Sequence, residues 1–409
     1  MEATKSTRQT PASCCSGSGD HKGGGPSNAA ASCGCSSGPD RRSGLKTSVA
    51  PSSVTLGCVG APWTDGVVPT SVGDVPRVKA SLTVRDQLGS LRARWDIGRM
   101  DYSVPPGLYA LGDPGADAPV LVSANYKMSF DRLRAVLSGR NVWILVLDTK
   151  GINVWCAAGE GTFGTDEIVR RVELSGLSQV VSHRRLVVPQ LGAPGVSAHE
   201  VLAKCGFHVI YGPVRANDLP AFLDARLKAN ADMRLVRFGL WDRFVLIPVE
   251  LVMGMKKVLL VAAAFVLLGG LSTDGYSIAG ARTNGLPGAA LVLGAFLGGT
   301  LLGPTLLPWL PGRAFSVKGA ALGLVLALAL AFFGWPWLFG SWLHTAAWIL
   351  IIPAITSFLV MNFTGASTFT SLSGVLRELR FALPIQATAA VVGVGLWVAG
   401  LFLQGRSSP

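Results

Sequence analysis

One cysteine stands inside a segment built for close approach. In TKGINVWCAAGEGTFGTDE, residues 149–167, Cys156 follows Trp155, and Ala157, Ala158, Gly159, Gly161 and Gly164 come after it. The run before this segment, Val142–Leu147, reads as a buried strand. A thiol placed between an apolar strand and a glycine-rich loop has four chemical uses. It can be an inert core thiol, because reduced cysteine packs as a small hydrophobe. It can be a nucleophile if His183, His199 or His208 supplies a base, although no local protease signature surrounds it. A zinc site needs more sulfur or imidazole ligands at short spacing than this stretch holds. The fourth use is as a single thiolate ligand to a metal already held by a cofactor. The residues alone leave the first and the last open.

The elements that would position Cys156 alternate between strand and helix. PVLVSA reads as a strand, SFDRLRAVL as a helix and VWILVLD as a strand. TDEIVRRVEL reads as a helix with Thr165 as N-cap and Asp166 and Glu167 in its first turn. QVVSH reads as a strand, and VSAHEVLAKCG as a helix with a Ser197–Glu200 capping box and Gly206 at its end. FHVIYG is a further strand, and NDLPAFLDARLKA closes the domain as a helix. This order predicts an α/β domain with a parallel sheet covered on both faces, whose ligands sit beyond the carboxyl ends of the strands. The loops expected there are 148–164, 184–195 and 211–218. Gly192, Gly195 and Gly212 in the last two would let backbone N–H groups approach a large ligand. No GxGxxG follows a strand and no GxxxxGK[ST] occurs, which disfavours dinucleotides and nucleoside triphosphates.

Around this domain the composition changes twice. Residues 1–75 are rich in Gly, Ser, Pro and small polar residues without periodicity and read as a disordered tail. Residues 76–247 have the mixed composition of a globular domain, and 248–409 are dominated by long apolar runs. The 409 residues have 49% hydrophobic content, too apolar for an ordinary soluble enzyme. The charge of +12 includes no basic stripe interleaved with aromatics, so nucleic-acid binding is disfavoured. Five segments can each cross a bilayer, a task that takes about 20 residues: 249–271, 286–310, 317–339, 342–361 and 383–403. Gly303-Pro304, Trp335-Pro336 and Pro353 interrupt them, and His344 is expected near an interface. Arg234, Arg237, Arg243, Arg313, Lys318, Arg377 and Arg380 flank alternate ends, which places the domain in the cytoplasm, the spans in the inner membrane and the C-terminus outside. No apolar stretch near Met1 has the length of a signal sequence, and five of the seven cysteines lie in the tail, so the pattern is no disulfide framework.

NVWCAAG, with LDTKGI before it and GTFGT after it, resembles the signature of the mercury-methylating corrinoid protein (HgcA) family. The likeness extends over PGLYALG, VLVSANYKMSFDRLR, VVSHRRLVVPQLGAPGVSAHEV, GFHVIYGPVRA and the five-span tail with NFTG, about residues 80–403. It implies a Rossmann-like corrinoid-binding domain, similar to that of the corrinoid iron–sulfur protein, followed by an all-α membrane domain of five helices. It also implies that Cys156 lies on a short cap helix as the lower axial ligand of cobalt, with Asn153, Val154, Trp155, Ala157, Ala158 and Gly159 completing the cap. A thiolate there pushes electron density onto the metal, as it does in thiolate-ligated haem. That would favour delivery of a cobalt-borne methyl group with both electrons to the electrophile Hg(II), forming methylmercury. The resemblance further implies a ferredoxin-like 4Fe-4S electron donor and a methyl donor such as a methyl-tetrahydrofolate system.

In one place the chain departs from that pattern. Glu160 stands where the family motif usually continues with a basic residue. A carboxylate beside Cys156 disfavours the thiolate, although the intervening AAG can point the two side chains apart. Two other readings stand beside mercury methylation. One is a methyl carrier of the same fold in one-carbon or acetyl-CoA-type metabolism with another acceptor. The other is a thiol-based metal transporter or sensor, to which Cys14, Cys15, Cys33 and Cys35 would contribute.

Overall fold

The computed structural model describes residues 56–334, 341–363 and 372–404. The tail cysteines at 14, 15, 33 and 35, the Trp335-Pro336 break and the last two residues of NFTG lie outside the described residues. The chain divides into two compact units, Met1–Ala93 with Gly98–Leu235, and Arg94–Ile97 with Val236–Pro409.

The first unit is built on a seven-stranded sheet. Its strands are β1 (Thr64–Thr70), β2 (Gly73–Val78), β3 (Gly107–Leu111), β4 (Val120–Ala124), β5 (Val142–Leu147), β6 (Arg185–Val188) and β7 (His208–Tyr211). They lie in the order β1-β2-β3-β5-β4-β6-β7. Strands β4 to β7 run parallel as predicted, but β3 is antiparallel to β5 and β1 to β2, so the sheet is mixed. Three strands extend the sheet beyond the predicted core. β3 is the unassigned PGLYALG segment, and the β1–β2 hairpin lies mostly within the expected tail. Its polar edge strand hid it, since β1 exposes most of its residues and shows no run of apolar positions. The ordered unit therefore begins well before residue 76.

Helices cover both faces because strand residues alternate. Val142, Ile144 and Val146 pack on one side of β5 with Phe130, Leu133 and Phe222 from α2 (Lys127–Val136) and α7 (Leu219–Asp224). Trp143, Leu145 and Leu147 pack on the other side. Their neighbours there include Ala157, Ile168, Leu177 and Val201, from α3 (Val154–Glu160), α4 (Thr165–Leu174), α5 (Leu177–Val180) and α6 (Ala198–Cys205). Helix α1 (Val84–Arg94) is tied to α2 by a buried ionic group. Lys127 contacts Asp86 and Asp131 at 2.6 Å each, and Arg134 contacts the same two carboxylates at 2.9 and 2.8 Å.

Three local expectations change. QVVSH is not a strand: α5 covers its start, and the strand is RLVV, displaced into what was read as a loop. Pairing decides this, since Leu186 and Val187 lie in register with Val120 and Leu121. Gly164, not Thr165, is the N-cap of α4, and the Thr165 hydroxyl instead accepts from Ser197 N at 2.8 Å. The Ser197–Glu200 capping box does not form, because Ser197 Oγ is engaged with His199 Nδ1 at 3.1 Å. Gly206 ends α6 at φ 76°, as expected.

The second unit contains α8 (Leu240–Phe244), α9 (Ile247–Leu268), a hairpin of β8 (Leu271–Ser272) and β9 (Gly275–Tyr276), the single turn α10 (Ile278–Gly280), α11 (Leu286–Leu306), α12 (Phe315–Gly334), α13 (Trp342–Asn362) and α14 (Leu372–Gln404). Among the described residues, five stretches are long and apolar enough to cross a membrane: Leu240–Leu268, Ile278–Leu306, Phe315–Gly334, Trp342–Asn362 and Gly374–Leu403. Buried Arg243 donates to the carbonyls of Pro304 and Thr305 at 3.0 Å each, satisfying backbone groups at the end of α11. Gly319 and Gly323 let α12 approach α13, where Thr356 Oγ1 donates to Gly319 O at 2.9 Å. His344, in the first turn of α13, is buried in protein. Its Nε2 lies 3.2 Å from Trp397 O, in space left by Gly400.

Candidate functional site

The site is the turn that carries Cys156 off the end of β5. Every residue of VWILVL is buried, so the strand is a fixed base. The chain then passes through Lys150 and Gly151, both left-handed at φ 56° and 75°. At Asn153 it becomes extended and caps α3, with Asn153 Oδ1 accepting from Cys156 N at 3.0 Å. Asn153 Nδ2 lies 3.5 Å from Cys156 Sγ, a donor directed at the sulfur. Ala157 and Ala158 form the buried side of the seven-residue helix, and Gly161 ends it at φ 84°. Val154, Trp155 and Cys156 are half-buried, whereas Gly159 and Glu160 are exposed. A short helix is thus present over the NVWCAAG residues, with Asn153 as its N-cap.

Its underside rests on protein. Phe163, fully buried, donates its N–H to Ala157 O at 3.0 Å. The turn Gln190–Gly195 packs against this assembly. A Cβ on Gly195 would lie 2.2 Å from Phe163 O, and one on Gly192 would lie 2.4 Å from the Phe163 ring. A Cβ on Gly212 would stand 3.0 Å from Val187 Cγ1. The space released at these three glycines is therefore used by the fold itself. At Gly159 and Gly161 an added Cβ meets nothing within 4 Å, so the open side of the site lies along the cap helix.

Cys156 and Glu160 are four residues apart on one helix and so share a face. As for the candidate bases, His183 and His208 flank the amino ends of β6 and β7, the opposite end of the sheet from Cys156. His183 Nε2 lies 2.9 Å from Ala118 O, its Nδ1 accepts from Arg185 N at 3.2 Å, and the His199 ring is engaged with Ser197. A cavity of about 540 Å³, lined by Asp117, Arg140, His183, Arg185 and Arg226 among others, also lies at those amino ends. It is remote from the thiol, so Cys156 and not cavity size marks the site. Among the described residues no group of three or more His, Cys, Asp or Glu side chains is placed to hold a metal ion. Cys205 sits at the end of α6 with its thiol donating to Val201 O at 3.2 Å, and burial, with the Glu173 charge adding, pushes that thiol up.

Sequence reasoning missed the residues that brace the turn. Glu167 Oε1 accepts from Asp148 N at 2.9 Å and from Arg171 Nη2 at 2.7 Å. Asn125 and Thr149, both buried, meet inside the turn. The visible sign was a polar residue directly after an apolar strand, in VLVSAN.

A doubly covered α/β sheet with a thiol-bearing helix at its carboxyl edge defines the class of the first unit. Within it, residues 96–223 match the family model of the CO dehydrogenase/acetyl-CoA synthase delta subunit. The chain is also similar to acetyl-CoA decarbonylase/synthase complex subunit gamma of Archaeoglobus fulgidus, 30% identical over 128 residues, covering 31% of this chain and 27% of that protein. The corresponding subunit of Methanopyrus kandleri is 31% identical over 128 residues, again 31% and 27% of the two chains. That of Methanocaldococcus jannaschii is 28% identical over 127 residues, covering 31% and 26%. The matched region amounts to about a quarter of the length of these relatives. The family-model match contains β3 to β7 and the whole Cys156 turn, and it excludes every candidate span.

Proposed function

We propose that this protein is a membrane-anchored corrinoid methyl carrier in which Cys156 is the lower axial ligand of cobalt. The cofactor is a corrinoid. The observation that carries the reading is a half-buried thiol on a short helix at the carboxyl edge of the sheet, inside the region that matches the family model of a CO dehydrogenase/acetyl-CoA synthase subunit. The residues fit that group. A cobalt already held by four ring nitrogens would take at most a single protein donor on one side rather than a cluster, and Cys156 would offer one soft ligand. Space along Gly159 and Gly161 is open on the same helix.

When bound, the corrinoid supplies a metal centre that accepts and releases a methyl group. The chain's own contribution is to present the ligand. Asn153 fixes the first turn of α3 through Cys156 N and directs an amide donor at the sulfur, which suits a thiolate acceptor. Phe163, Gly192 and Gly195 support the helix from beneath, and Cys156 on it is half-buried. The two candidate bases at the far end of the sheet and the engaged His199 ring argue against a cysteine–histidine nucleophile.

The similarity supports a carrier of one-carbon, acetyl-CoA-type chemistry more directly than it supports mercury methylation, since the relatives are named for that complex. Transfer to Hg(II) rests on the resemblance of NVWCAAG and its flanks, and it is the second reading. A ferredoxin-like 4Fe-4S reductant, a methyl-tetrahydrofolate-type donor, and a cytoplasmic position of the first unit with the C-terminus across the inner membrane complete the proposal.

The test is the visible spectrum of the anaerobically purified full chain. Corrinoid bands that shift in Cys156→Ala and stay unchanged in Cys205→Ala are expected. Bands identical in all three proteins would refute axial ligation, and protein that takes up no corrinoid would refute the carrier. Methylmercury formation from a methylated carrier and Hg(II) then separates the two acceptors.

A further inference from the structure

We propose that Asn125 is a positioning residue for Cys156, fixing the backbone turn from which the cap helix starts. The inference rests on the reading of Cys156 as a cobalt ligand.

Asn125 follows β4, a central strand buried along its whole length, and is itself 6% exposed. Ala124 lies opposite Leu147 in the parallel β4–β5 pair, so Asn125 emerges beside the start of the turn that leads to α3. Its Oδ1 accepts from Thr149 N at 3.2 Å and from Gly151 N at 2.9 Å. These two amides flank Lys150, a non-glycine residue held at φ 56° next to Gly151 at φ 75°. Consecutive left-handed residues persist only where their surroundings over-determine them. Here one carbonyl oxygen grips the amides on both sides of Lys150, and only glycine fits at 151, where a Cβ would stand 2.7 Å from Met100 O.

Two further contacts explain why the gripping group is an amide. Thr149 Oγ1 lies 2.7 Å from Asn125 Oδ1 and 2.7 Å from Ile152 O, so its single proton serves two acceptors in the residues leading to the N-cap. Asn125 Nδ2 reaches Asp148 Oδ1 at 3.4 Å, which gives that carboxylate a neutral donor. An aspartate in this place would keep the acceptor and oppose a second anion to Asp148, whereas alanine would leave the buried amides of Thr149 and Gly151 without their acceptor. From Thr149 the chain runs four residues to Asn153 and three more to Cys156, with no glycine after Gly151. A shift of the turn is therefore passed directly to the thiol.

The experiment uses the full chain in lipid nanodiscs with Asn125→Ala and Asn125→Asp. The first readout is the alkylation rate of Cys156 by iodoacetamide in protein without corrinoid, resolved by peptide mass spectrometry, with Cys205 as internal reference. The second is the spectrum after loading with aquocobalamin, with Cys156→Ala defining loss of ligation. In Asn125→Ala the Cys156:Cys205 rate ratio is expected to rise about tenfold, the effect of losing one or two buried hydrogen bonds. Its spectrum should move toward that of Cys156→Ala at unchanged corrinoid stoichiometry. Asn125→Asp, which keeps the acceptor, should give about threefold and carries the test if the alanine variant does not fold. A rate ratio and a spectrum both unchanged from the unsubstituted protein would overturn the proposal. If Cys156→Ala itself leaves the spectrum unchanged, the ligand reading fails, and the alkylation ratio still decides whether Asn125 positions the thiol.

Discussion

Replacing Gly195 by alanine puts a methyl carbon 2.2 Å from Phe163 O and 3.1 Å from Ala158 O. The first contact is roughly 1 Å inside ordinary van der Waals separation. Both oxygens are backbone atoms, so no side-chain rotation can relieve the overlap. Either the turn 190–195 or the cap helix must move, at a cost of about 1–3 kcal/mol for overpacking. The same substitution at Gly159 has the opposite sign. That residue is helical, exposed and free of neighbours within 4 Å of an added Cβ. Alanine there gains about 0.5–1 kcal/mol of helix propensity. Hydrogen exchange of a peptide covering residues 153–164, in the full chain without corrinoid, reads both effects. Since every 1.4 kcal/mol is a factor of ten, Gly195→Ala should accelerate exchange by roughly fivefold to a hundredfold. Gly159→Ala should slow it by roughly two- to fivefold. Equal exchange in the two variants would refute the view that the 190–195 turn supports the cap helix from beneath.

Other substitutions probe charge and boundaries. Glu160→Lys should speed alkylation of Cys156 at low ionic strength, because the two share a helix face, and the gain should fade at about 1 M salt, where the screening length is near 3 Å; equal rates at low salt would show that the charge is not felt at the thiol. Burial alone would push Asp86 up, but hydrogen bonds from Lys127 and Thr83 outweigh it and hold the carboxyl well below the usual range. Its stabilisation is therefore complete above the unfolded value of about 3.9 and is lost as pH falls below it. Asp86→Asn should cost about 3 kcal/mol at pH 7 by leaving the buried Lys127 and Arg134 to share Asp131 alone, and the difference in thermal unfolding between variant and unsubstituted protein should shrink as pH falls from 5 toward 3; a constant difference across that range would contradict the linkage. Deleting residues 1–72 removes β1 and should lower the unfolding temperature of the first unit, whereas deleting 1–55 leaves every described element in place and should not.

Periodicity and apolar length were legible directly. The five spans follow from runs of apolar residues, and β4, β5, β7, α4 and α6 follow from patterns of two and 3.6, because burial on a given face imposes those repeats whatever the partner. The cap helix was legible from the motif. Elements whose identity depends on a distant partner were not. RLVV became a strand because β4 offers it register, and GLYAL joined the sheet antiparallel to β5. The polar hairpin at Thr64–Val78 became part of the sheet through backbone pairing that leaves little apolar trace.

Around Cys156 the division is the same. Residue types and spacing alone gave a lone thiol after a buried strand, a motif that implies a short helix around it, and glycines able to admit a close neighbour. Tertiary structure decided what those glycines face. Gly192, Gly195 and Gly212 accommodate Phe163, Ala158 and Val187, and the open side lies instead at Gly159 and Gly161. It also turned Cys156 and Glu160 onto one face and brought Asn125 across 24 residues to the turn. A residue type states what a side chain can donate, accept or leave empty; only the packed chain decides which neighbour fills the space.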